Sequence, residues 1–275
     1  MNLAESLQRT GAHVRHMSVT LFRGWASAGV DTKLAWIWYR GAGALGLKLE
    51  PRCKLRPHQV NHDLTVGLRN SSDLYVFNQI FIHQEYRSLD SLQDVSFVVD
   101  LGANVGYASA WFLSRFPNAR VLAVEPDERN VEFCRMNLEP YGQRATILHG
   151  AAWSENTSMS LSQGSFGDGR EWATQVVVSE TNSGEIQAWD VATLIEMAGF
   201  PHIDLLKVDI ERAELAVFSE TAQRWLPKIR NLCIELHGPD CEAALFGALS
   251  GYDFDLKREG ELTICTNLRQ KERVA

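Results

Sequence analysis

Two groups of residues in this sequence have the types and the spacing to do chemistry. The first lies in VVDLGANVGYAS, residues 98–109, where an apolar run ends in a turn punctuated by Gly102 and Gly106. Glycines there let the backbone turn sharply and approach a ligand closely. Asp100 and Asn104 share that turn, and Glu125 closes the next apolar run. The second group is carried by LLKVDIE and CIELHG, which bring Asp209, Glu211, Glu235 and His237 to the ends of two further apolar runs.

The first group suits a nucleoside cofactor, and its spelling says which. A dinucleotide turn reads GxGxxG, because a pyrophosphate lies against the helix N-terminus with no competing negative charge. Here the order is Asp-x-Gly-x-Asn-x-Gly, with no third glycine. A carboxylate is unwelcome beside phosphate but suits S-adenosylmethionine, which carries an ammonium and a sulfonium. On this reading Asp100, Gly102, Asn104 and Gly106 line the methionine end and the ribose. Glu125 accepts the ribose hydroxyls, and Pro126 lies against the adenine. Gly150 and Ala151 offer backbone groups to the adenine edge. Trp153 is a candidate cover for that ring or contact for the substrate, with simple packing as the alternative. Tyr86 and Glu85, upstream, are further candidates for the methionine end.

The second group suits proton removal. Methyl transfer is an in-line displacement, and a neutral hydroxyl attacks well only when a nearby base takes its proton. His237 ranks first as that base, because an unperturbed imidazole titrates near neutral pH, and Asp209 second. The alternative for His237 is a strand-end residue that caps a carbonyl. Lys207 is expected to point elsewhere and to pair with an acidic neighbour. The carboxylates Asp209, Glu211 and Glu235 are compatible with a divalent cation. Nothing in their spacing demands one, so no metal is expected.

The elements that position these groups alternate from residue 95 onward. Strands are expected over 96–100, 119–126, 145–150, 203–210 and 229–238, with helices over 107–116, 127–142, 212–226 and 239–251. Short apolar strands alternating with amphipathic helices mean a parallel sheet covered on both faces. Residues 252–259 and 262–268 resemble a strand pair with no helix between them. The glycine-rich stretch 162–171 reads as a surface loop. Upstream, a strand is expected within 60–70 and a helix over 74–86. Residues 1–48 carry an apolar stripe at helical period, which predicts burial in the core or against a second copy of the chain. The expected division is a basic helical extension over 1–60 and an α/β domain over 61–275.

Charge and composition narrow the partners. The net charge of −7 is uneven: residues 1–60 hold nine Lys/Arg against three Asp/Glu, leaving the rest of the chain strongly acidic. An acidic body repels phosphate backbones, so nucleic acid is not an expected substrate. The basic front end is expected to pack on that body rather than on a membrane. The five cysteines are scattered singly, which fits a reduced, cytoplasmic setting, and no signal peptide or membrane span is legible.

With these residues placed, the chain resembles the FkbM family of S-adenosylmethionine-dependent methyltransferases. The resemblance rests on VVDLGANVGYAS, AVEPDERN, HGAAWSE, IDLLKVDIERAEL and IELHG in that order, and RNSSDLYVFNQIFIHQEY is similar to the family's lead-in. It implies a doubly wound seven-stranded sheet in the order 3-2-1-4-5-7-6 with the final strand antiparallel. It also implies a small hydroxylated acceptor, such as a sugar or a polyketide-type product. One position departs: the family's Asp-x-Glu-Gly-x-Glu here has Arg212 in place of glycine, beside Asp209, Glu211 and Glu214. Arg212 is a candidate for acceptor recognition; impaired chemistry, leaving a non-catalytic scaffold, is the alternative. An NAD-dependent dehydrogenase on the same topology is the remaining competitor, opposed by Asp100 and the missing glycine.

Overall fold

The computed structural model describes residues 52–67, 72–163, 174–178 and 186–272. The apolar stripe over 1–48 lies outside them. The chain divides into two compact units, Met1–Asp90 and Ser91–Ala275.

In the first unit, β1 (Arg52–Leu55) and β2 (Leu64–Gly67) pair antiparallel, with Leu55 opposite Leu64. The strand expected within 60–70 is present as β2; β1 is not anticipated, although RCKL alternates and its burial alternates with it, because four residues are too few to announce a strand. Helix α1 (Asp73–Phe77) follows, and the Asp73 carboxylate accepts the Gly67 N–H at 2.7 Å, tying helix to hairpin. The helix expected over 74–86 is not uniform. It widens into a π-helical turn at Asn78–Ile82, which buries Ile80, Phe81 and Ile82 together. It then breaks at Gln84 (φ +56°) before a 3-10 turn, Glu85–Ser91.

The second unit is built on seven strands: β3 (Phe97–Leu101), β4 (Arg120–Glu125), β5 (Ala145–His149), β10 (Leu205–Val208), β11 (Leu232–Glu235), β12 (Tyr252–Glu259) and β13 (Leu262–Gln270). Their spatial order is β12-β13-β11-β10-β3-β4-β5, with β13 alone antiparallel to its neighbours. Counted along the chain, that is 3-2-1-4-5-7-6, as the resemblance implies. Every residue of β3 and β10 is buried, as a parallel sheet covered on both faces requires. Helices α2 (Tyr107–Arg115) and α3 (Glu128–Leu138) pack by β3, β4 and β5. Helices α4 (Val191–Ala198) and α6 (Pro239–Ala248) contribute Leu194, Ile195 and Leu245 to one large apolar cluster with Val99, Leu101, Leu206 and Ile234. The winding reverses between β3 and β10, which opens a crevice at their carboxyl ends.

Two stretches differ from expectation. The segment 212–226 is not one helix: α5 (Glu214–Val217) is a single turn, followed by 3-10 turns at Glu220–Arg224 and Leu226–Lys228. Ser219 adopts an extended conformation that resets the chain. Phe218 and Trp225 can then both enter the core, ring centroids 5.6 Å apart. A second, four-stranded sheet interrupts the alternation, ordered β6 (Ala151–Ala152), β9 (Ile186–Trp189), β7 (Thr157–Gln163) and β8 (Thr174–Val178). The expected loop over 162–171 thus begins inside β7; residues 164–171 lie outside the described residues.

At the opposite end of the sheet from the crevice, Asp204 is 2% exposed. It accepts from Ser96 N–H (2.8 Å), Ser96 Oγ (2.6 Å), Phe97 N–H (3.0 Å) and Arg230 Nη1 (2.7 Å). Burial alone would raise its pKa, but these hydrogen bonds and His202 outweigh burial and hold it low. Asp204→Ala should cost about 2–4 kcal/mol in urea unfolding at neutral pH. Because the folded-state pKa is depressed, that difference should shrink as pH falls through the carboxylate range.

Candidate functional site

The site starts from a cross-strand pair. The register of β10 on β3 sets Lys207 beside Asp100, on one face of the sheet. Both are buried, and the Lys207 ammonium lies 3.1 Å from Asp100 Oδ1. It also donates to the Gly102 carbonyl at 2.7 Å and lies 3.6 Å from Asp209 Oδ2. Burial alone would drive this amine neutral; the charges of Asp100 and Asp209 outweigh that and raise its pKa, keeping it an ammonium. Lys207 pairs with acidic neighbours, as expected, but it does not point elsewhere: the register of β10 on β3 turns it toward Asp100 and Asp209. It also does what the sequence reading did not assign: it braces the glycine turn from beneath. Asp100 is fully enclosed, with its other oxygen accepting from Ser109 Oγ of α2 at 2.6 Å.

The turn is shaped by contact. Gly102 (φ +75°) lies so close to the next strand end that a Cβ there would sit 1.8 Å from the Asp209 carbonyl oxygen. The N–H groups of Gly102 and Ala103 both reach the Val124 carbonyl at 3.0 Å. Asn104 takes a left-handed conformation (φ +51°) and donates its N–H to Glu125 Oε2 at 2.8 Å. Gly106 (φ +85°) opens α2 against Cys134 of α3.

Glu125 closes the other side. Its Oε1 accepts from the Asp127 N–H (3.0 Å) and Asn130 Nδ2 (3.3 Å). Burial pushes its pKa up to about 7, against the pull of those donors. Pro126 follows, its carbonyl meeting His149 Nε2 at 3.0 Å. Gly150 donates to the Glu125 carbonyl at 2.9 Å and packs so tightly on Trp189 that no side chain fits. Ala151 is buried in β6, in a small cluster against which Trp153 packs. Tyr86 belongs to the first unit, where it is buried in the 3-10 turn.

Beyond the turn, His237 sits among four carboxylates. Its Nδ1 meets Glu214 Oε1 at 2.9 Å, while Nε2 faces Glu211 Oε2 (3.7 Å), Asp209 Oδ1 (3.8 Å) and Glu235 Oε1 (3.9 Å). The structure thus gathers the four acid–base candidates of the sequence. It adds Glu214, which is fully buried and also accepts the Ile210 N–H at 3.4 Å. The sequence places it only as the last acidic position of the Asp-x-Glu-Gly-x-Glu pattern, with no role assigned; it opens α5. Burial would lower the His237 pKa, but the Glu214 hydrogen bond and charge, with Glu211 and Asp209, raise it to about 9. Burial pushes Glu211 up to about 7. Arg212 adopts φ +75°, a left-handed conformation that a glycine enters without strain. Its guanidinium donates to the His237 carbonyl at 3.1 Å and pairs with Asp240.

Two substitutions separate shape from charge here. Gly102→Ala should destabilise the protein by at least about 3 kcal/mol in chemical unfolding, because backbone must move on both strands. Arg212→Gly should stay within about 1 kcal/mol of wild type, since relief of left-handed strain offsets an exposed ion pair.

A family model and several known proteins match the chain. A family model described as the methyltransferase FkbM domain matches residues 100–254. The chain is 25% identical over 209 residues to the AMB antimetabolite synthetase AmbE of Pseudomonas aeruginosa, covering 62% of this chain and 10% of that protein. It thus spans about a tenth of that relative's length. It is also 25% identical over 203 residues to Methyltransferase 1 of Beauveria bassiana, covering 65% of this chain and 80% of that one. Among solved structures, methyltransferase FkbM from Methylobacillus flagellatus KT is similar at 17% identity, covering 73% of this chain and 55% of that one, with a TM-score of 0.47. The chain belongs to the methyltransferase FkbM domain family.

Proposed function

We propose that the chain transfers a methyl group from S-adenosylmethionine to a hydroxyl oxygen of a small acceptor, a sugar or a polyketide-type product. The observation that carries this reading is the packing of Gly102 directly on the Asp209 peptide. Through it the cofactor turn and the acid–base cluster share one wall of the crevice. The acceptor oxygen forms a bond to the methyl carbon as the carbon–sulfur bond breaks. The sulfonium becomes a neutral thioether, and the acceptor's proton passes to a carboxylate of the cluster, because His237, expected as the base, already holds its proton at neutral pH.

The surroundings of the turn support the choice of cofactor. The Lys207 ammonium is spent on Asp100 and the Gly102 carbonyl rather than directed at a pyrophosphate, which does not suit a dinucleotide. Glu125 presents a carboxylate whose present partners are all donors, and a ribose diol would add two more of the same kind. The Arg212 guanidinium is engaged by Asp240 and the His237 carbonyl, which supports an active enzyme over a blocked one.

Calorimetric titration with S-adenosylhomocysteine, run beside NADH, tests this. Saturable binding of the first alone is expected, weakened at least about tenfold in Glu125→Ala, the loss of two charge-assisted hydrogen bonds. Affinity should rise as pH climbs through about 7, because only the ionised Glu125 accepts both hydroxyls. Absence of binding by folded protein would contradict the proposal.

A further inference from the structure

We propose that Asp209, Glu211 and His237 form a binding site for a divalent transition-metal ion, with Glu235 at its edge. The three offer one ligand atom each, all within 4.8 Å of one another. The spacing is informative. His237 Nε2 faces oxygens of Glu211, Asp209 and Glu235 at 3.7, 3.8 and 3.9 Å, too far for hydrogen bonds. Ligands held at about 2.1 Å around one ion lie about 3.0 Å apart when adjacent and about 4.2 Å apart when opposite. The observed gaps fall between those values, so small side-chain rotations would close the shell.

The second observation lies behind the imidazole. Glu214 is fully buried and aimed into the cluster. Its Oε1 is 2.9 Å from His237 Nδ1, its Oε2 has no N–H or O–H donor, and the Cys241 thiol hydrogen-bonds to the same carboxylate. A buried carboxylate on Nδ1 fixes a proton there, so Nε2 is the nitrogen that exchanges its proton for an ion. A histidine that ligates a metal is oriented by the same arrangement. Charge points the same way. Asp209, Glu211 and Glu214 set three carboxylates around one imidazole; Lys207 lies by the far oxygen of Asp209, and Arg212 is turned to Asp240. A divalent cation adds positive charge to an acidic cluster. One imidazole nitrogen with carboxylate oxygens favours Mn²⁺, Fe²⁺ or Zn²⁺ over Ca²⁺. Ion binding stands apart from the methyl-transfer reading. The ion's use, holding adjacent hydroxyls of the acceptor in the open positions, rests on that reading.

The test uses the full chain freed of metal by a chelator and titrated with Mn²⁺, followed by calorimetry and by the electron paramagnetic resonance of free Mn²⁺. One saturable site is expected. His237→Ala and Glu211→Gln should each weaken it at least tenfold with an unchanged circular dichroism spectrum. Glu214→Gln should weaken it by about 10–100-fold, as loss of a partner behind a metal ligand does. His237→Ala should still bind S-adenosylhomocysteine, which separates loss of the ion from loss of the cofactor. Lack of saturable binding of Mn²⁺ and Zn²⁺, or binding indifferent to both His237→Ala and Glu211→Gln, would overturn the proposal and leave the methyl-transfer reading intact. Ion binding without S-adenosylhomocysteine binding would uphold this site and remove that reading.

Discussion

The ammonium of Lys207, sealed beneath the glycine turn, is the interaction on which the rest of the site depends. An isolated buried amine would lose its proton; this one keeps it because Asp100 and Asp209 flank it and the Gly102 carbonyl accepts from it. The arrangement is fragile in a specific way. Removing one partner of a buried pair typically costs about 3–5 kcal/mol, because the other is left as an uncompensated charge. One side chain therefore fixes three things: the carbonyl end of β3, the orientation of Asp100 and the near edge of the carboxylate–histidine cluster.

From the other flank, Glu125 does the complementary job with an anion. Its carboxylate gathers N–H groups from Asn104 and Asp127, so the turn is gripped by a cation on its carbonyl side and an anion on its amide side. A loop ordered in this way before any ligand arrives has little conformational entropy left to lose on binding. The same economy extends to His237, whose ring is set by a buried glutamate before any ligand arrives.

The sheet was legible because a parallel strand buried on both faces must be an apolar run, and FVVDL, RVLAVE, LLKV and LCIE are nearly that. The two polar intrusions, Asp100 and Lys207, look like independent exceptions in one dimension. Only strand register makes them one pair, so their joint role could not be read locally. The four-stranded β6–β9 sheet escaped because its strands are short and mixed in polarity. The break at Ser219 was equally hidden: Phe218 and Trp225 satisfy a helical period, and only tertiary packing shows that both rings need the core. Asp209, Glu211, Glu235 and His237 were legible as a group from strand-end position, whereas the role of Glu214 appears only when its helix sets it behind the His237 ring.

If Lys207 holds the turn, replacing it together with Asp100 by apolar residues should free the turn without emptying the core. Amide hydrogen exchange of Lys207→Met/Asp100→Leu, resolved by residue, is the direct measurement. The account predicts a loss of protection of at least about tenfold at Gly102, Ala103, Asn104 and Gly106, with β4 and β5 amides unchanged. Wild-type protection across the turn in a folded double variant would contradict it.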